Sequence, residues 1–308
     1  MSNCEGSESE VARLLVTCED QSGIVQAVSG FLYHQGANII SLDQHTTEAY
    51  GGKYFMRVEF HLDGLAIKKD AMMATFAANV ATKYHMTWQL NCNRDLKKVG
   101  ILVSKEDHAL LELLWRYSRG TLPCQITQVV SNHEDLRASV ESFGIEFVHI
   151  PVDKENKQAA YDQIHEVMKN NDLLVLARYM QILSPEFVDL WQGKIINIHH
   201  SFLPAFVGAN PYKQAFDKGV KLIGATAHYA TSELDQGPII EQGVERASHG
   251  FSVSDLRELG RDIERDVLGV VDGREIRLAD IWPSEAEIDA VVAAAVKPEQ
   301  FRAVYEPM

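Results

Sequence analysis

The feature that most constrains the fold is a regular alternation of short apolar segments with segments of helical period after Val99. The apolar segments 99–103, 125–130 and 173–176 have the length of buried strands. Strands that alternate with helices form a parallel sheet covered by helices on both faces. Ligands of such sheets bind at the carboxyl ends of the strands. We therefore predict an α/β fold with a mostly parallel sheet and a ligand site at that edge.

The residues before this region predict a different arrangement. The order of elements is βαββαβ, with strands at 11–17, 39–42, 53–61 and 86–90, a helix that begins at Ile24 and stops before Gly36, and a helix over 66–84. This order packs two helices on one face of an antiparallel sheet. The polar stretch 91–98 is the predicted linker, so one domain covers 11–91 and a second covers 98–268.

The charge of the chain excludes some classes of partner. The 308 residues carry a net charge of −14, whereas proteins that bind nucleic acid present a basic patch. No apolar run reaches the roughly 20 residues that cross a bilayer. The polar start MSNCEGSESE is unlike a signal peptide. We expect a cytoplasmic protein without nucleic-acid or membrane partners.

The four cysteines are scattered and lack the close pair spacing of zinc or redox motifs. We expect them to be reduced thiols without a role in the chemistry.

The first domain resembles an ACT domain, a module with which metabolic enzymes sense amino acids. The resemblance depends on the element order and on the segment DQSGIV that begins at Asp20, where a helix N-terminus would meet a carboxylate. It implies a small amino-acid effector, glycine or methionine, and a homo-oligomer paired through sheet edges. The alternative is a unit that only dimerises the protein. Asn38, Ile39 and Ile40 lie where such domains bind effectors, although the two isoleucines are equally typical of core.

The candidate chemical residues follow two strands of the second domain. One strand ends in the segment NIHHSFLP, which begins at Asn197 and contains His199 and His200. Another strand carries His228, and the turn LDQG after it contains Asp235. A lone Asp before Gly is usually a turn former, and a lone His at a strand end is usually structural. Only the joint pattern favours a reactive site.

These segments resemble the family of formyltetrahydrofolate deformylases, the hydrolytic relatives of the folate-dependent formyltransferases. NIHHSFLP, HYATSELDQGPII and the earlier LARYMQILSP agree with that family in order and content, and the similarity covers 98–268. The resemblance implies a Rossmann-like domain of formyltransferase type that hydrolyses 10-formyltetrahydrofolate to formate and tetrahydrofolate. The formate would supply purine synthesis and balance the one-carbon pool. The folate is the substrate, and no further cofactor is implied.

The resemblance also implies catalytic roles for Asn197, His199 and Asp235. Formyl hydrolysis passes through a tetrahedral oxyanion, for which the Asn197 amide and the His199 imidazole are suitable donors. The attacking water loses a proton and the folate nitrogen gains one, and Asp235 is the natural carrier. His228 is expected either to support the site from behind or to have no role in it.

A metal site is the alternative interpretation of His199, His200 and His228. Neighbouring residues on a strand point to opposite faces, so His199 and His200 are not expected to converge. We therefore expect no metal.

The resemblance places the folate pocket along 178–183 and beside the loop 231–235. Its predicted substrate-binding residues are Met180, Gln181, Ile182, Leu183, Thr231 and Glu233. Main-chain groups of Gln181 and Leu183 are suitable partners for a pterin edge. Met180, Ile182 and Leu183 are equally compatible with ordinary core. The Gly-containing segment 206–211 is expected to close over the reacting group.

The segment after the first strand of the second domain favours water as the acceptor. Relatives that formylate a ribosyl phosphate amine have a Gly-rich phosphate loop there, whereas this chain has VSKEDH from Val103. We therefore expect a hydrolase. The alternatives are a transferase that acts on a small amine and a silent amino-acid sensor that keeps folate affinity.

The last residues depart from the family pattern. From Gly269 onward the sequence resembles a fragment of an aconitase instead, although no cysteine follows to ligate an iron–sulfur cluster. We expect 269–308 to be an atypical tail that contributes nothing to the chemistry. Ser284 is expected to cap a helix that Pro298 ends.

Overall fold

The computed structural model describes residues 10–48, 51–92, 96–203 and 211–270. The chain divides into two compact units, Met1–Leu96 and Lys97–Met308. Nearly all of the segment 206–211 and of the tail 269–308, including the predicted helix after Ser284, lies outside the described residues.

The first unit is built on a four-stranded antiparallel sheet in the order β2-β3-β1-β4. Its strands are β1 (Val11–Glu19), β2 (Asn38–Thr46), β3 (Lys53–His61) and β4 (Thr87–Cys92). In the central strand, Leu14 pairs with Val58 on one side and with Leu90 on the other. All three side chains are buried in one core with Leu32 of the first helix. The helices therefore cover this face of the sheet, as the alternation of apolar residues predicted.

Two helical segments cross that face. The first, α1 (Ile24–His34), begins after Gly23, which has φ 94°, and the second, α2 (Leu65–Phe76), begins after Gly64. The chain continues from α2 through a π-helical turn, Ala77–Ala81, into a short turn, Thr82–Tyr84. The sequence predicted a uniform helix here. Phe76, Val80 and Tyr84 are all buried along this stretch, so the π-helical turn leaves the apolar face of the segment on the core.

The second unit contains a seven-stranded sheet in the order β11-β10-β9-β8-β5-β6-β7. Its strands are β5 (Lys97–Val103), β6 (Cys124–Ser131), β7 (Glu146–His149), β8 (Leu173–Leu176), β9 (Ile195–His199), β10 (Leu222–Tyr229) and β11 (Ile239–Arg246). The strands β5 to β9 are parallel, and β10 is antiparallel to both of its neighbours. The mostly parallel sheet predicted from the sequence is confirmed.

Helices cover both faces of this sheet. They are α3 (His108–Ser118), α4 (Arg137–Ser142), α5 (Lys157–Met168), α6 (Pro185–Leu190), α7 (Pro211–Asp217) and α8 (Val253–Val270). Successive residues of the central strand β5 enter opposite cores: Ile101 and Val103 pack with α3 and α8, whereas Leu102 packs with α5 and α6. Burial on both faces explains why β5 is a continuous apolar run. Within the described residues, no helix combines the length and the apolar character that crossing a membrane requires.

The strand order defines where a ligand site is expected. From β5 the chain winds through β6 to β7 on one side of the sheet, and it then returns to build β8 and β9 on the other side. The connections that leave the carboxyl ends of β5 and β8 therefore diverge, and such a crevice is the usual ligand site of an open α/β sheet. β9 ends beside it.

Candidate active site

Strand β9 brings Asn197 and His199 to one side of the sheet edge. Residues two apart on a strand share a face. Asn197 and His199 are two such residues within the last three positions of β9. Asn197 is half-buried, and His199 is only 6% exposed. Both side chains line a cavity of about 590 Å³.

The antiparallel register of β10 adds His228 to this pair. His228 lies directly opposite Asn197 in the ladder. Its Nδ1 is 2.9 Å from the Tyr229 carbonyl oxygen, which only accepts hydrogen bonds, so Nδ1 carries the proton. In the neutral ring Nε2 then accepts from Asn197 Nδ2 at 3.1 Å. This bond fixes the Asn197 amide, and no described residue accepts from its second N–H.

The loop after β10 places Asp235 against the two histidines. Asp235 has φ 57°, a left-handed conformation that Asp tolerates better than most residues. Gly237 is required next to it, because a Cβ there would lie 1.7 Å from the Tyr229 carbonyl oxygen. The Thr231 hydroxyl donates to the Glu233 carbonyl at 3.0 Å and closes the start of the loop.

One carboxylate oxygen of Asp235 makes both contacts with the histidines. Its Oδ1 lies 3.3 Å from His199 Nδ1 and 3.7 Å from His228 Nε2. The hydrogen bond with His199, assisted by His228, outweighs partial burial and holds the pKa of Asp235 well below its usual range. In the described part of the chain, Oδ2 has no partner and is not sealed from solvent.

His199 has a buried nitrogen that no protein group satisfies. Its Nδ1 faces Asp235, and its Nε2 has no hydrogen-bond partner among the described residues. A buried polar atom without a partner costs free energy and calls for an explanation. A ligand in the cavity supplies one.

The predicted pocket residues lie on the cavity wall with one exception. Met180, Gln181, Ile182, Leu183 and Thr231 line the cavity, whereas Glu233 does not. Met180 and Ile182 are 56% and 63% exposed, so they are not core residues. Leu183 both lines the cavity and packs against the core beside α5 and α6.

The loop 178–183 is held in place by groups from neighbouring strands and helices. Arg178 has φ 63°, and its carbonyl accepts from the Ser104 N–H at 3.2 Å. Ser104 Oγ accepts from the Met180 N–H at 2.9 Å, and Tyr161 donates to the Ile182 carbonyl at 2.8 Å. The loop is therefore fixed before any ligand binds, which lowers the entropic cost of binding.

The comparisons with known proteins agree with this arrangement. The formyl transferase family model matches residues 97–271, and the ACT domain model matches residues 12–69. A formyltetrahydrofolate deformylase of Bacillus subtilis (strain 168) is 50% identical over 266 residues, which are 86% of this chain and 88% of that relative. The chain belongs to the formyltetrahydrofolate deformylase family.

Two solved structures of related proteins match this chain to different extents. A formyltetrahydrofolate deformylase from Pseudomonas syringae matches with a TM-score of 0.80 and 43% identity, over 84% of this chain and 87% of that one. A glycinamide ribonucleotide transformylase from Symbiobacterium toebii matches with a TM-score of 0.55 and 28% identity, over 60% of this chain and 88% of that one. The family and the fold class predicted from the sequence are confirmed.

Sequence reasoning missed a second cluster that lines the cavity of this deformylase. Glu264 of α8 is 1% exposed. It accepts from His108 Nε2 at 2.9 Å and from the Tyr212 hydroxyl at 3.1 Å, and Arg178 Nε lies at 3.5 Å. We call these four residues the Glu264 cluster. Burial raises the pKa of Glu264, but the hydrogen bond with His108 and the charge of Arg178 win, and the net shift is downward.

A sequence signal for this cluster exists. The buried residues of α8 include Leu256, Gly260, Ile263, Glu264 and Val267, at helical spacing. A glutamate on such an apolar stripe requires buried partners. Gly260 makes room for one of them, since a Cβ there would lie 2.0 Å from the Tyr212 hydroxyl.

The expectation that His199 and His200 point to opposite faces was wrong. β9 ends at His199, so His200 no longer follows the strand pleat. Both rings line the cavity, with centroids 5.3 Å apart. Among the described residues, the one grouping whose ligand atoms lie close enough to hold a metal is Glu10, His61 and Asp63 in the first unit, not the histidines beside Asp235.

Proposed function

We propose that Asn197, His199 and Asp235 form the catalytic centre at which this deformylase hydrolyses 10-formyltetrahydrofolate to formate and tetrahydrofolate. The observation that carries the assignment is the pairing of His199 with Asp235 through Nδ1, which leaves the buried Nε2 without a partner at the cavity. The three residues belong to one connected group at the carboxyl end of β9. Asn197 hydrogen-bonds to His228, and Asp235 lies at ion-pair distance from both His228 and His199.

The two donors act on the formyl oxygen. When water attacks the formyl carbon, the carbonyl π electrons move to oxygen and create an oxyanion. The free N–H of Asn197 and the Nε2–H of an imidazolium at His199 both serve this oxygen. In the imidazolium form each ring nitrogen has an acceptor, because Asp235 takes Nδ1–H. Donors that are fixed before the reaction stabilise the charge without reorganisation.

Asp235 moves the proton that the reaction needs. Its lowered pKa keeps it a carboxylate at neutral pH, and Oδ2 is open to the attacking water. As the carbon–oxygen bond forms, one water proton passes to Oδ2. The same proton then passes to the folate nitrogen as the carbon–nitrogen bond breaks.

The folate lies along the loop 178–183 and beside Thr231. The exposed side chains of Met180 and Ile182 offer an apolar surface for the flat pterin, and the fixed main chain of Gln181 and Leu183 offers donors and acceptors for its edge. Glu233 is removed from this set, since it lies off the cavity wall. No cofactor takes part, the formate supplies purine synthesis, and the cytoplasm stays the predicted compartment.

The first unit supplies regulation by an amino acid. Glycine or methionine binds with its carboxylate at the start of α1, where Gly23 makes no side-chain cap and the first N–H groups of the helix are available. The strands β2 and β4 are the edges of the sheet and provide for assembly into a homo-oligomer. A deletion of residues 1–91 removes any response of the deformylation rate to glycine and methionine. If neither amino acid changes the rate or the Tm of the full chain, the unit serves assembly only.

The experiment that tests the proposed function uses the purified full chain and 10-formyltetrahydrofolate without any other substrate. Formate and tetrahydrofolate are expected to accumulate in equal amounts. Turnover that requires an added amine, with formylated amine as the product, would show a transferase instead. Binding of the folate without turnover would favour a sensor.

A further inference from the structure

His200 stands between the two polar clusters of the cavity. Its ring centroid is 5.3 Å from that of His199, which belongs to the catalytic centre, and 6.0 Å from that of Tyr212, which belongs to the Glu264 cluster. The ring lines the cavity wall beside His199, the residue whose Nε2 we assign to the formyl oxygen.

The ring nitrogens of His200 are open to the cavity. In the described part of the chain, no residue hydrogen-bonds to either of them. Neither nitrogen is among the buried atoms that lack a hydrogen-bond partner, such as His108 Nδ1 and His199 Nε2. A histidine on a cavity wall without a protein partner is available to water or substrate.

The surroundings of His200 keep it neutral. Burial, followed by the charge of Arg178, lowers the pKa of His200 to about 4, although Glu264 and Asp235 oppose this shift. At neutral pH one ring nitrogen therefore carries a lone pair and accepts hydrogen bonds.

The carboxylate behind His200, Glu264, is already engaged. Its Oε1 accepts from the Tyr212 hydroxyl and its Oε2 from His108 Nε2, and Arg178 Nε lies at ion-pair distance from Oε2. Glu264 is therefore less available to hold an ammonium or amine acceptor than a carboxylate without partners would be.

We propose that His200 holds the attacking water. The ring accepts a hydrogen bond from the water and so directs the lone pair of the water oxygen at the formyl carbon. The proposal rests on the proposed function and adds to it the group that makes water the acceptor. One water proton passes to Asp235 Oδ2 and on to the folate nitrogen. The other water proton faces His200. When formic acid ionises to formate, this proton passes through the His200 ring to solvent.

Hydroxylamine distinguishes this role from a general structural one. It is a stronger nucleophile than water and converts the formyl group to formohydroxamate, with one proton passing to the folate nitrogen. The assay measures formate and formohydroxamate from the full-length protein at a fixed concentration of hydroxylamine. His200→Leu removes the acceptor, His200→Gln keeps one, and His249→Leu is the matched control, since His249 is exposed outside the cavity lining.

For His200→Leu we expect formate release to fall about 100-fold, as for other lost proton-accepting groups. The KM for the folate stays within about twofold, and the ratio of hydroxamate to formate rises by about tenfold or more, because bound water is lost and the oxyanion donors are kept. His200→Gln is expected to keep formate release within about tenfold of the unaltered chain. His249→Leu leaves both products unchanged.

Equal losses of formate and hydroxamate in His200→Leu, or formate release within about threefold of the unaltered chain, overturn the proposal. If His200→Leu does not fold, His200→Ala, which also removes the acceptor, decides: a product ratio shifted toward hydroxamate supports the role, and an unshifted ratio overturns it. A failure of the unaltered chain to release formate overturns the proposed function itself and is seen before any variant is made.

Discussion

Asp235 and Glu264 are carboxylates on two walls of one cavity, and each meets a histidine at hydrogen-bond or ion-pair distance. Asp235 uses Oδ1 for both of its histidines and keeps Oδ2 open. Glu264 is more deeply buried, and both of its oxygens accept a hydrogen bond, with Arg178 at ion-pair distance. A carboxylate with a free oxygen can exchange protons with a ligand, whereas a fully engaged one fixes the parts that surround the ligand.

The backbones that carry the two carboxylates also differ, since one is a loop and the other is a helix. Asp235 lies in a loop at φ 57°, a strained conformation that persists only where the surroundings hold it. Glu264 lies inside α8. Two hydrogen bonds join it to the start of α3 and to α7, and an ion pair joins it to the loop after β8. Backbone strain therefore accompanies the carboxylate that we propose to be reactive, and convergence of elements accompanies the one that we propose to build the cavity.

The largest effect is expected for Asp235→Asn, which tests whether the two carboxylates have different roles. The amide keeps the shape of the side chain but cannot carry the proton, so kcat is expected to fall about 1,000-fold. The folate Kd should change little, because the pterin surface is untouched. Formate release and direct folate binding are both measured, with Asp266→Asn, exposed on α8, as the control. A variant with near-normal kcat would remove Asp235 from the reaction.

Loss of an oxyanion donor should have the next largest effect. Asn197→Ala and His199→Ala are each expected to lower kcat about 100-fold. The double variant should lose less than the product of the two, since both donors act on one oxygen. Full additivity in kcat would show that the two side chains serve different steps.

Glu264→Gln should act on stability and folate binding more than on the chemical step. The substitution leaves Arg178 and His108 facing a neutral amide, and breaking a buried pair costs about 3 kcal/mol, which lowers Tm by about 6–12 °C in a unit of this size. KM should rise with the loosened Arg178 loop, while kcat falls less than in Asp235→Asn. Glu166→Gln, which breaks an exposed pair with Lys169, is the control and should leave Tm unchanged. A fall of kcat as deep as that of Asp235→Asn would place Glu264 in the chemistry.

Removal of the residues after Val270 should have the smallest effect. The described contacts of both carboxylate clusters all lie before this point, and truncation here keeps the hydrogen bond from Arg116 to the Gly269 carbonyl. Specific activity is expected to stay within about threefold and Tm within a few degrees. Thermal unfolding and formate release check both expectations. A truncated chain that is insoluble, or folded yet inactive, would show that the tail belongs to the fold.

The sequence by itself determined the elements and the family. Short apolar runs predict the strands β5, β6 and β8 of the sheet that carries the site, because the length and composition of a buried strand are local features of the sequence. The segments from Asn197 and His228 placed the three candidate catalytic residues at strand ends and in a turn. The rule for parallel sheets places Asn197 and His199 at the carboxyl edge. Asp235 follows the antiparallel strand β10, and only the loop after that strand brings it to them.

Only the tertiary structure decided which groups meet. The bond between Asn197 and His228 depends on the register of two strands, and the Glu264 cluster depends on partners 52 and 156 residues away along the chain. The direction of His200 depends on where β9 stops. Such contacts are set by the packing of distant segments, which no local period or propensity encodes. The roles of Asn197, His199 and Asp235 in the reaction stay predictions that the variants above test.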